Sequence, residues 1–234
     1  MDCASNHTLV QKLAHGIHRF RAQYFAKNQQ LFERLGKDGQ RPETLFITCS
    51  DSRVVPDLIT SSAPGDLFIV RNVGNIVPPV DQGVIGGVAA AIEYAVEMLD
   101  VKQIVVCGHT SCGAIEAILH PERAKHLAFV SRWLKGAAKI PEIVAERYAD
   151  LDPAQQVLAA VEENVLFQLE NLRTYDFVAR RLERGDLSLG GWVFKITTGQ
   201  VFTYDPETEE FLLLASEGED RQPLTARSPS TPPP

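Results

Sequence analysis

Two short segments contain the residue types that bind a metal ion. Cys49, Asp51 and Arg53 alternate within Cys-Ser-Asp-Ser-Arg, and His109 and Cys112 stand three residues apart in His-Thr-Ser-Cys. Two thiolates and one imidazole suit zinc and leave its fourth position open, as in catalytic zinc sites, whereas structural sites are normally closed by four ligands. The sequence therefore predicts one zinc ion per chain, at a site that performs chemistry.

A carboxylate and a guanidinium follow the first cysteine at alternate positions. Cys49, Asp51 and Arg53 share one face if the segment is extended, and Arg53 can then hold Asp51 in a bidentate pair. Asp51 has two possible roles, since it could orient the nucleophile or compete as a fourth metal ligand. Alone, the pair would be interpreted as a turn cap and a surface ion pair. The nearby His-x-x-Cys pair favours the functional interpretation.

Each ligand segment follows an apolar run that predicts a short buried strand, over 44–48 and 103–107. The carboxyl ends of parallel strands meet at one edge of a sheet, where open α/β folds build their sites. Cys112 should begin a helix over 113–119, whose N-terminus favours the thiolate over the thiol. Cys107 lies inside the second strand and is predicted to be a small buried apolar residue.

The rest of the chain predicts one α/β domain over 1–215, with a central, mostly parallel sheet flanked by helices and an antiparallel edge strand. Apolar residues at helical spacing predict an amphipathic N-terminal arm over 8–35, which needs a surface to pack on. An acidic, proline-rich tail over 216–234 is predicted to be disordered. Further helices are predicted over 87–99, 121–148 and 153–182, and a hairpin joins strands at 191–196 and 200–204.

Composition narrows the function classes. The 234 residues carry a formal charge of −7 with a pI near 5.4, and 44% are hydrophobic, which fits a globular protein and disfavours nucleic-acid binding. No apolar run approaches the roughly 18 residues of a membrane span, and the N-terminus lacks the pattern of a secretory signal. We therefore expect a cytoplasmic protein whose four cysteines form no disulfides.

The pair Cys-Ser-Asp-Ser-Arg and Gly-His-x-x-Cys-Gly, about sixty residues apart, resembles the motif pair of β-class carbonic anhydrases. The segments 64–68, 71–79 and 91–95 extend this resemblance over roughly residues 8–215. It implies reversible hydration of carbon dioxide to bicarbonate and a proton. It also implies zinc on Cys49, His109 and Cys112, with Asp51 and Arg53 as a dyad that orients the nucleophile.

Further residues follow from a resemblance to the plant-type branch of that family. Its active-site glutamine precedes the first cysteine ligand by nine residues, which is Gln40 here, and its apolar pocket wall falls at Phe68 and Val73. Its tyrosine, contributed across the dimer, corresponds to Tyr94. The bicarbonate-gated branch has a tryptophan where this chain has Phe46, so the resemblance implies an open site.

The same resemblance implies a homodimer or a higher even-numbered oligomer, with the N-terminal arm on a partner chain. The arm and the segments 171–175 and 184–189 are similar to cyanobacterial carboxysomal carbonic anhydrases, which implies a carboxysome scaffold protein as a candidate partner. Two alternatives stay open: a carbon disulfide or carbonyl sulfide hydrolase on the same scaffold, and a non-catalytic protein stabilised by zinc. A redox protein is disfavoured because there is no Cys-x-x-Cys pair.

Overall fold

The computed structural model describes residues 3–80, 86–215 and 220–224, with side chains described from Val10 onward. The chain divides into two compact units, Met1–Arg41 and Pro42–Pro234. The first contains the predicted arm and the second contains both ligand motifs.

The N-terminal unit is helical, as predicted. Helix α1 spans Cys3–Arg19, a π-helical stretch follows at Phe20–Phe25, and α2 spans Gln29–Asp38. Four aromatic rings cluster around the π-helical stretch, with centroid separations of 5.1 to 6.4 Å: Phe20, Tyr24, Phe25 and Phe32. The arm is therefore two helices joined by an irregular turn rather than one continuous helix.

The second unit is built on a six-stranded sheet in the order β2-β1-β3-β4-β5-β6. Strands β2, β1, β3 and β4 are parallel, whereas β5 and β6 are antiparallel to their neighbours. The strands are β1 Thr44–Cys49, β2 Leu67–Asn72, β3 Gln103–His109, β4 Ser188–Lys195, β5 Gln200–Asp205 and β6 Glu210–Leu213. The mostly parallel sheet with an antiparallel edge is confirmed.

The central strands β1 and β3 are apolar because both faces of the sheet are covered. Their side chains alternate between a larger cluster, with Leu45, Ile47, Ile104 and Val106, and a smaller one, with Phe46, Val105 and Cys107. The residue Gly108 lets the helix over the larger cluster approach closely, since a Cβ there would lie 2.9 Å from a Val165 methyl group. Cys107 is fully buried, as predicted, and burial raises the pKa of its thiol to about 12.

Seven helices belong to the second unit in the described part of the chain. They are α3 Pro56–Thr60, α4 Gly87–Glu93, α5 Gly113–Leu119, α6 Ala128–Trp133, α7 Ile140–Arg147, α8 Pro153–Arg173 and α9 Asp176–Glu183. The longest, α8, begins at a capping box in which Asp152 accepts from two backbone N–H groups, and it packs on β3 and β4. A π-helical turn, Tyr94–Met98, continues α4. None of the described helices has the length and apolar character needed to cross a membrane.

The structure differs from the sequence prediction at several elements. Strands β2 and β6 are additional, β4 begins three residues earlier than predicted, and 153–182 forms two helices, α8 and α9. Within the predicted tail, residues 220–224 pair with β6: Leu224 donates its N–H to Phe211 O at 2.8 Å, and Leu213 donates to Gln222 O at 2.9 Å. The rest of the tail, 216–219 and 225–234, lies outside the described residues.

Candidate metal centre

The three predicted ligands converge at the carboxyl edge of the sheet. Cys49 ends β1 and His109 ends the neighbouring parallel strand β3, while Cys112 immediately precedes α5. Their candidate ligand atoms all lie within 4.8 Å of one another, and all three residues are buried. Adjacent parallel strands bring together residues that are about sixty positions apart in the chain, as their motifs predict.

The two sulfur atoms are spaced for a shared metal ion. Cys49 Sγ lies 4.0 Å from Cys112 Sγ, about twice the length of a disulfide bond and close to the roughly 3.8 Å expected between two thiolates on a tetrahedral zinc ion. All three cysteines with described side chains are free, and these are Cys49, Cys107 and Cys112. The fourth, Cys3, has no described side chain.

The two thiols differ in acidity. A hydrogen bond from the Cys112 thiol lowers the pKa of Cys49 to about 4, with smaller contributions from His109 and from the backbone at Gly74 and Asp51, against the opposing effect of burial. The same hydrogen bond, together with burial, raises the pKa of Cys112. Without a metal the two sulfurs therefore share one proton, and the raised pKa of Cys112 differs from the thiolate expected at the start of α5, because the neighbouring Cys49 sulfur and burial outweigh the helix N-terminus. A bound cation replaces that proton, because metals bind the thiolate form.

The imidazole of His109 is oriented for metal binding. The ring is fully buried, and Nδ1 lies 2.9 Å from Thr110 O. A carbonyl only accepts, so Nδ1 carries a proton and donates it to Thr110 O, which leaves Nε2 as the ring nitrogen available to a metal ion. Within the described chain Nε2 is one of two buried side-chain nitrogen or oxygen atoms with no hydrogen-bond partner. An unpartnered buried acceptor beside two sulfurs fits a zinc ion.

Asp51 and Arg53 form the predicted bidentate pair. Arg53 Nε donates to Asp51 Oδ1 at 2.9 Å, and Arg53 Nη2 donates to Oδ2 at 2.7 Å. The Arg53 backbone N–H also donates to Oδ1, and its Nη2 reaches Ser111 O at 3.1 Å, in the second ligand loop. The Arg53 guanidinium holds the pKa of the Asp51 carboxyl well below its usual range. The carboxylate is thus ionised and fixed, with Oδ2 lying 3.8 Å from His109 Nε2.

Arg71, at the end of β2, holds the first ligand loop and was not identified from the sequence as a site residue. Its Nε donates to Cys49 O at 3.2 Å, and its Nη2 donates to Asp51 O at 2.7 Å. The guanidinium therefore fixes the backbone between the first sulfur and the carboxylate. A basic residue at the carboxyl end of a third apolar strand is the signal that could have revealed it.

A row of buried amides on α8 fixes the loop after β2. Asn164 Nδ2 donates to Gly74 O at 3.1 Å, Gln168 Oε1 accepts from the Val77 N–H at 2.9 Å, and Asn171 Nδ2 donates to Val77 O at 2.9 Å. Gln168 Nε2 also donates to Asn164 Oδ1 at 2.9 Å, which sets the orientation of that amide. Sequence reasoning missed these residues, although three amides at i, i+4 and i+7 lie on one helical face.

The predicted pocket residues fall into separate groups. Phe68 on β2 and Tyr94 at the start of the π-helical turn contact each other, with ring centroids 5.9 Å apart. Val73 is 41% exposed and follows Asn72, whose carbonyl accepts from the Ser50 N–H in the first ligand loop. Gln40 follows α2 in the N-terminal unit, and its place relative to the metal centre stays a prediction.

Phe46 lies on the other face of β1 from the Cys49 ligand. Its ring is buried in the smaller hydrophobic cluster, where it packs edge-on against Trp192 at a centroid distance of 5.8 Å. The alternation of side chains along the strand separates positions 46 and 49. Phe46 therefore packs in the core and takes no part in the ligand set.

The comparison with known proteins agrees with this geometry. The carbonic anhydrase family model matches residues 44–201. A carbonic anhydrase of Synechocystis is 45% identical over 204 residues, which cover 87% of this chain and 74% of the relative. A solved structure of the beta-carbonic anhydrase CcaA has a TM-score of 0.85 at 44% identity and covers 90% of this chain and 94% of that one.

A second solved structure, from a study of two tetrameric beta-carbonic anhydrases of the fungus Sordaria macrospora, has a TM-score of 0.70 at 29% identity. It covers 86% of this chain and 97% of that one. The family match at 44–201 includes both ligand motifs and strands β1 to β4. The ligand set, the fold and these relatives together show that the chain belongs to the β class of the carbonic anhydrase family.

Proposed function

We propose that this chain catalyses the reversible hydration of carbon dioxide to bicarbonate and a proton, with zinc held by Cys49, His109 and Cys112. The observation that supports this most directly is the unpartnered, fully buried Nε2 of His109 beside two buried sulfur atoms 4.0 Å apart. Zinc bound there supplies a Lewis acid that makes water a nucleophile near neutral pH.

Asp51 is the proposed acceptor that orients the attacking oxygen. An ionised carboxylate can only accept hydrogen bonds, so Asp51 would accept one from the O–H group of the nucleophile and thereby turn the oxygen lone pair towards the substrate carbon. Arg53 keeps the carboxylate in that state and position through two side-chain hydrogen bonds. Arg71 supports the dyad through the backbone, by donating to Asp51 O.

The substrate pocket is proposed to be apolar, because carbon dioxide is small and nonpolar. Val73 follows Asn72, whose carbonyl accepts from Ser50 in the first ligand loop, and the rings of Phe68 and Tyr94 contact each other. By resemblance to the plant-type branch, Tyr94 and the Gln40 amide act across the dimer and meet the oxygen charge that develops during attack. These roles depend on two chains, so full activity is proposed to require at least a dimer.

We also propose that the site belongs to the open, plant-type branch. Both carboxylate oxygens of Asp51 already accept from Arg53, which opposes their transfer to the metal. Titration of the hydration rate with bicarbonate tests this, and we expect at most simple competition by product. A sigmoidal loss of activity, or a crystal with an Asp51 oxygen about 2.0–2.2 Å from zinc, would place the chain in the gated branch.

Stopped-flow hydration of carbon dioxide by protein of measured zinc content tests the main proposal. Parallel assays with carbon disulfide and carbonyl sulfide address the hydrolase alternative, which the relatives named above do not favour. Hydration that rises in proportion to zinc content supports carbonic anhydrase activity. Hydrolysis without hydration would favour the alternative enzyme, and zinc binding without either activity would favour a stabilised scaffold.

A cytoplasmic homodimer or larger even-numbered oligomer is proposed as the working form. Support comes from the exposed apolar side chains of the N-terminal unit and from the tetrameric family members noted above. A carboxysome scaffold protein is proposed as a partner on the resemblance of the arm and of the segments 171–175 and 184–189 to carboxysomal carbonic anhydrases. Light scattering tests the oligomer, and cosedimentation with purified carboxysome shells tests the partner.

A further inference from the structure

The hydrogen bonds between β3 and β4 become irregular at the second ligand loop. The two strands are parallel, and their last paired residues are His109 and Phe194. One residue further along, the Thr110 N–H donates to Phe194 O at 3.0 Å, which is the bond that a continuing parallel ladder makes. In such a ladder the next bond would run from the Ile196 N–H to the Thr110 carbonyl.

That next bond goes to a side chain instead. The Ile196 N–H donates to Thr110 Oγ1 at 3.2 Å, so a hydroxyl oxygen takes the place of the backbone carbonyl as acceptor. The Thr110 carbonyl is thereby left for the imidazole of His109, whose Nδ1 lies 2.9 Å from it. The replacement of one acceptor by another thus joins the end of the sheet to the ring of a candidate zinc ligand.

Ile196 is fixed independently of the ligand loop. It directly follows β4, and its side chain packs against the smaller hydrophobic cluster. The turn after it is closed by Lys195 O, which accepts from the Thr198 N–H at 3.2 Å and from the Gly199 N–H at 2.9 Å. The Ile196 N–H is therefore presented to the second ligand loop from a rigid support.

Thr110 is also held on its other side. Ser111 has a φ of +56°, in the left-handed region, so the chain leaves the strand direction there. Its carbonyl accepts from Arg53 Nη2 at 3.1 Å. An N–H that loses its acceptor away from water is costly. Without the Thr110 hydroxyl, the Ile196 N–H would therefore compete with the imidazole for the Thr110 carbonyl.

We propose that Thr110 is a positioning residue of the metal centre, whose hydroxyl accepts the Ile196 N–H and thereby reserves the Thr110 carbonyl for His109. The hydrogen bond from Nδ1 fixes the tautomer and the rotation of the ring, and with them the direction of the Nε2 lone pair. The proposal rests on the proposed role of His109 as a zinc ligand. Groups that orient a metal-binding histidine typically change metal affinity or activity by about 10-fold to 100-fold when they are lost.

The substitutions Thr110→Val and Thr110→Ser test the proposal as a pair. Valine keeps the shape of the side chain and removes the hydroxyl, so chelator competition should show zinc affinity weakened by about 10-fold. In zinc-loaded protein the NMR signal of the His109 Nδ1–H group should move, and its proton should exchange faster with solvent. Serine retains the hydroxyl and should keep the affinity and the signal at wild-type values. Thr48→Val is the matched control, because Thr48 is buried, precedes Cys49 and donates its hydroxyl to Cys107 O at 2.8 Å.

Weakened affinity and a moved Nδ1–H signal in Thr110→Val, with neither change in Thr110→Ser or Thr48→Val, support the proposal. A folded Thr110→Val protein that lacks either change overturns it, even if the melting temperature falls, because that result assigns the hydroxyl to the sheet alone. The same changes in either of the other variants also overturn it. Wild-type protein in which zinc leaves the His109 ring signals unmoved would instead refute His109 as a ligand, and the proposed function with it.

If Thr110→Val does not fold, NMR couplings through hydrogen bonds in wild-type protein provide the decisive measurement. The carbonyl carbon of Thr110 should show a coupling to Nδ1 of His109 and none to the amide nitrogen of Ile196. That pattern supports the proposal. A coupling to Ile196, or the absence of a coupling to His109, overturns it, because the carbonyl would then belong to the strand ladder rather than to the imidazole.

Discussion

The carboxyl edge of the sheet and the N-terminal unit differ in what surrounds their side chains. At the edge, Asp51 is held by Arg53, and the three candidate ligands are buried together. In the N-terminal unit no described side chain is buried, and Leu13 is 72% exposed and Ile17 60%. The candidate metal centre is therefore held in place by contacts within one folded unit, whereas the apolar stripe of the arm needs a further surface to pack on.

The largest expected effect is at the ligands themselves. Cys49→Ser should abolish both zinc binding and hydration, because it removes one of only three anchors and leaves the others too weak. Metal analysis and stopped-flow hydration measure the two losses. Cys107→Ala is the matched control, since Cys107 is also buried in the sheet but faces the smaller cluster, and it should retain zinc. A fully zinc-loaded Cys49→Ser protein would contradict the ligand assignment.

The dyad should affect rate more than metal content. Asp51→Ala and Arg53→Ala should each keep most of the zinc and lower hydration by about 10²-fold to 10⁴-fold, the usual contribution of a group that handles the proton or orients the nucleophile. Asp57→Ala, on the exposed side of α3, is the control and should be near normal. Unchanged rates in both dyad variants would make the dyad a structural ion pair.

The arm should affect assembly rather than the ligand set. Introducing charge with Leu13→Asp and Ile17→Asp together should weaken the proposed dimer on the order of 100-fold or more, because each apolar side chain buried on association contributes about 1.5–3 kcal/mol. Light scattering across a dilution series measures this, with Leu58→Asp on α3 as an equally exposed control. An unchanged dimer would show that the stripe faces something other than a partner chain.

Zinc affinity should depend on pH through one cysteine. The pKa of Cys49 is lowered to about 4, so it is already a thiolate at neutral pH, whereas the pKa of Cys112 is raised and its proton must leave when the metal binds. Affinity should therefore rise about tenfold per pH unit between about pH 7 and pH 8.5, with one proton released. Chelator competition and proton-release calorimetry check this, and a hundredfold slope would mean that both thiols lose protons.

The smallest expected effect is at the C-terminus. Removing residues 216–234 should leave zinc content and rate unchanged, since the tail is distant in sequence from every ligand. It should lower the melting temperature by about 2–4 °C, because Leu224 packs against the main cluster and pairs with Phe211. Removal of 225–234 alone is the control and should leave the melting temperature unchanged. Loss of activity on either truncation would show that the tail supports the site.

The sequence by itself determined the chemistry and much of the fold. Ligand type and spacing are local properties, so Cys49, His109 and Cys112 could be identified from residue types and spacing alone, as could the pairing of Asp51 with Arg53 two positions away. Apolar runs predicted β1 and β3 because buried parallel strands leave a continuous signal. The apolar signal of strand β2 is weaker, since all six of its residues are partly or fully exposed. This strand was therefore not predicted from the sequence.

Only the tertiary structure decided which distant residues support those ligands. Arg71 reaches the first ligand loop from a neighbouring strand, Asn164 reaches Gly74 from a helix ninety residues later, and Trp133 reaches the peptide beside it. None belongs to a local motif, and a buried amide in a helix is indistinguishable in sequence from a solvated one. Their contacts with these loops depend on how the strands and helices pack, and those contacts exist only once the sheet and helices have come together.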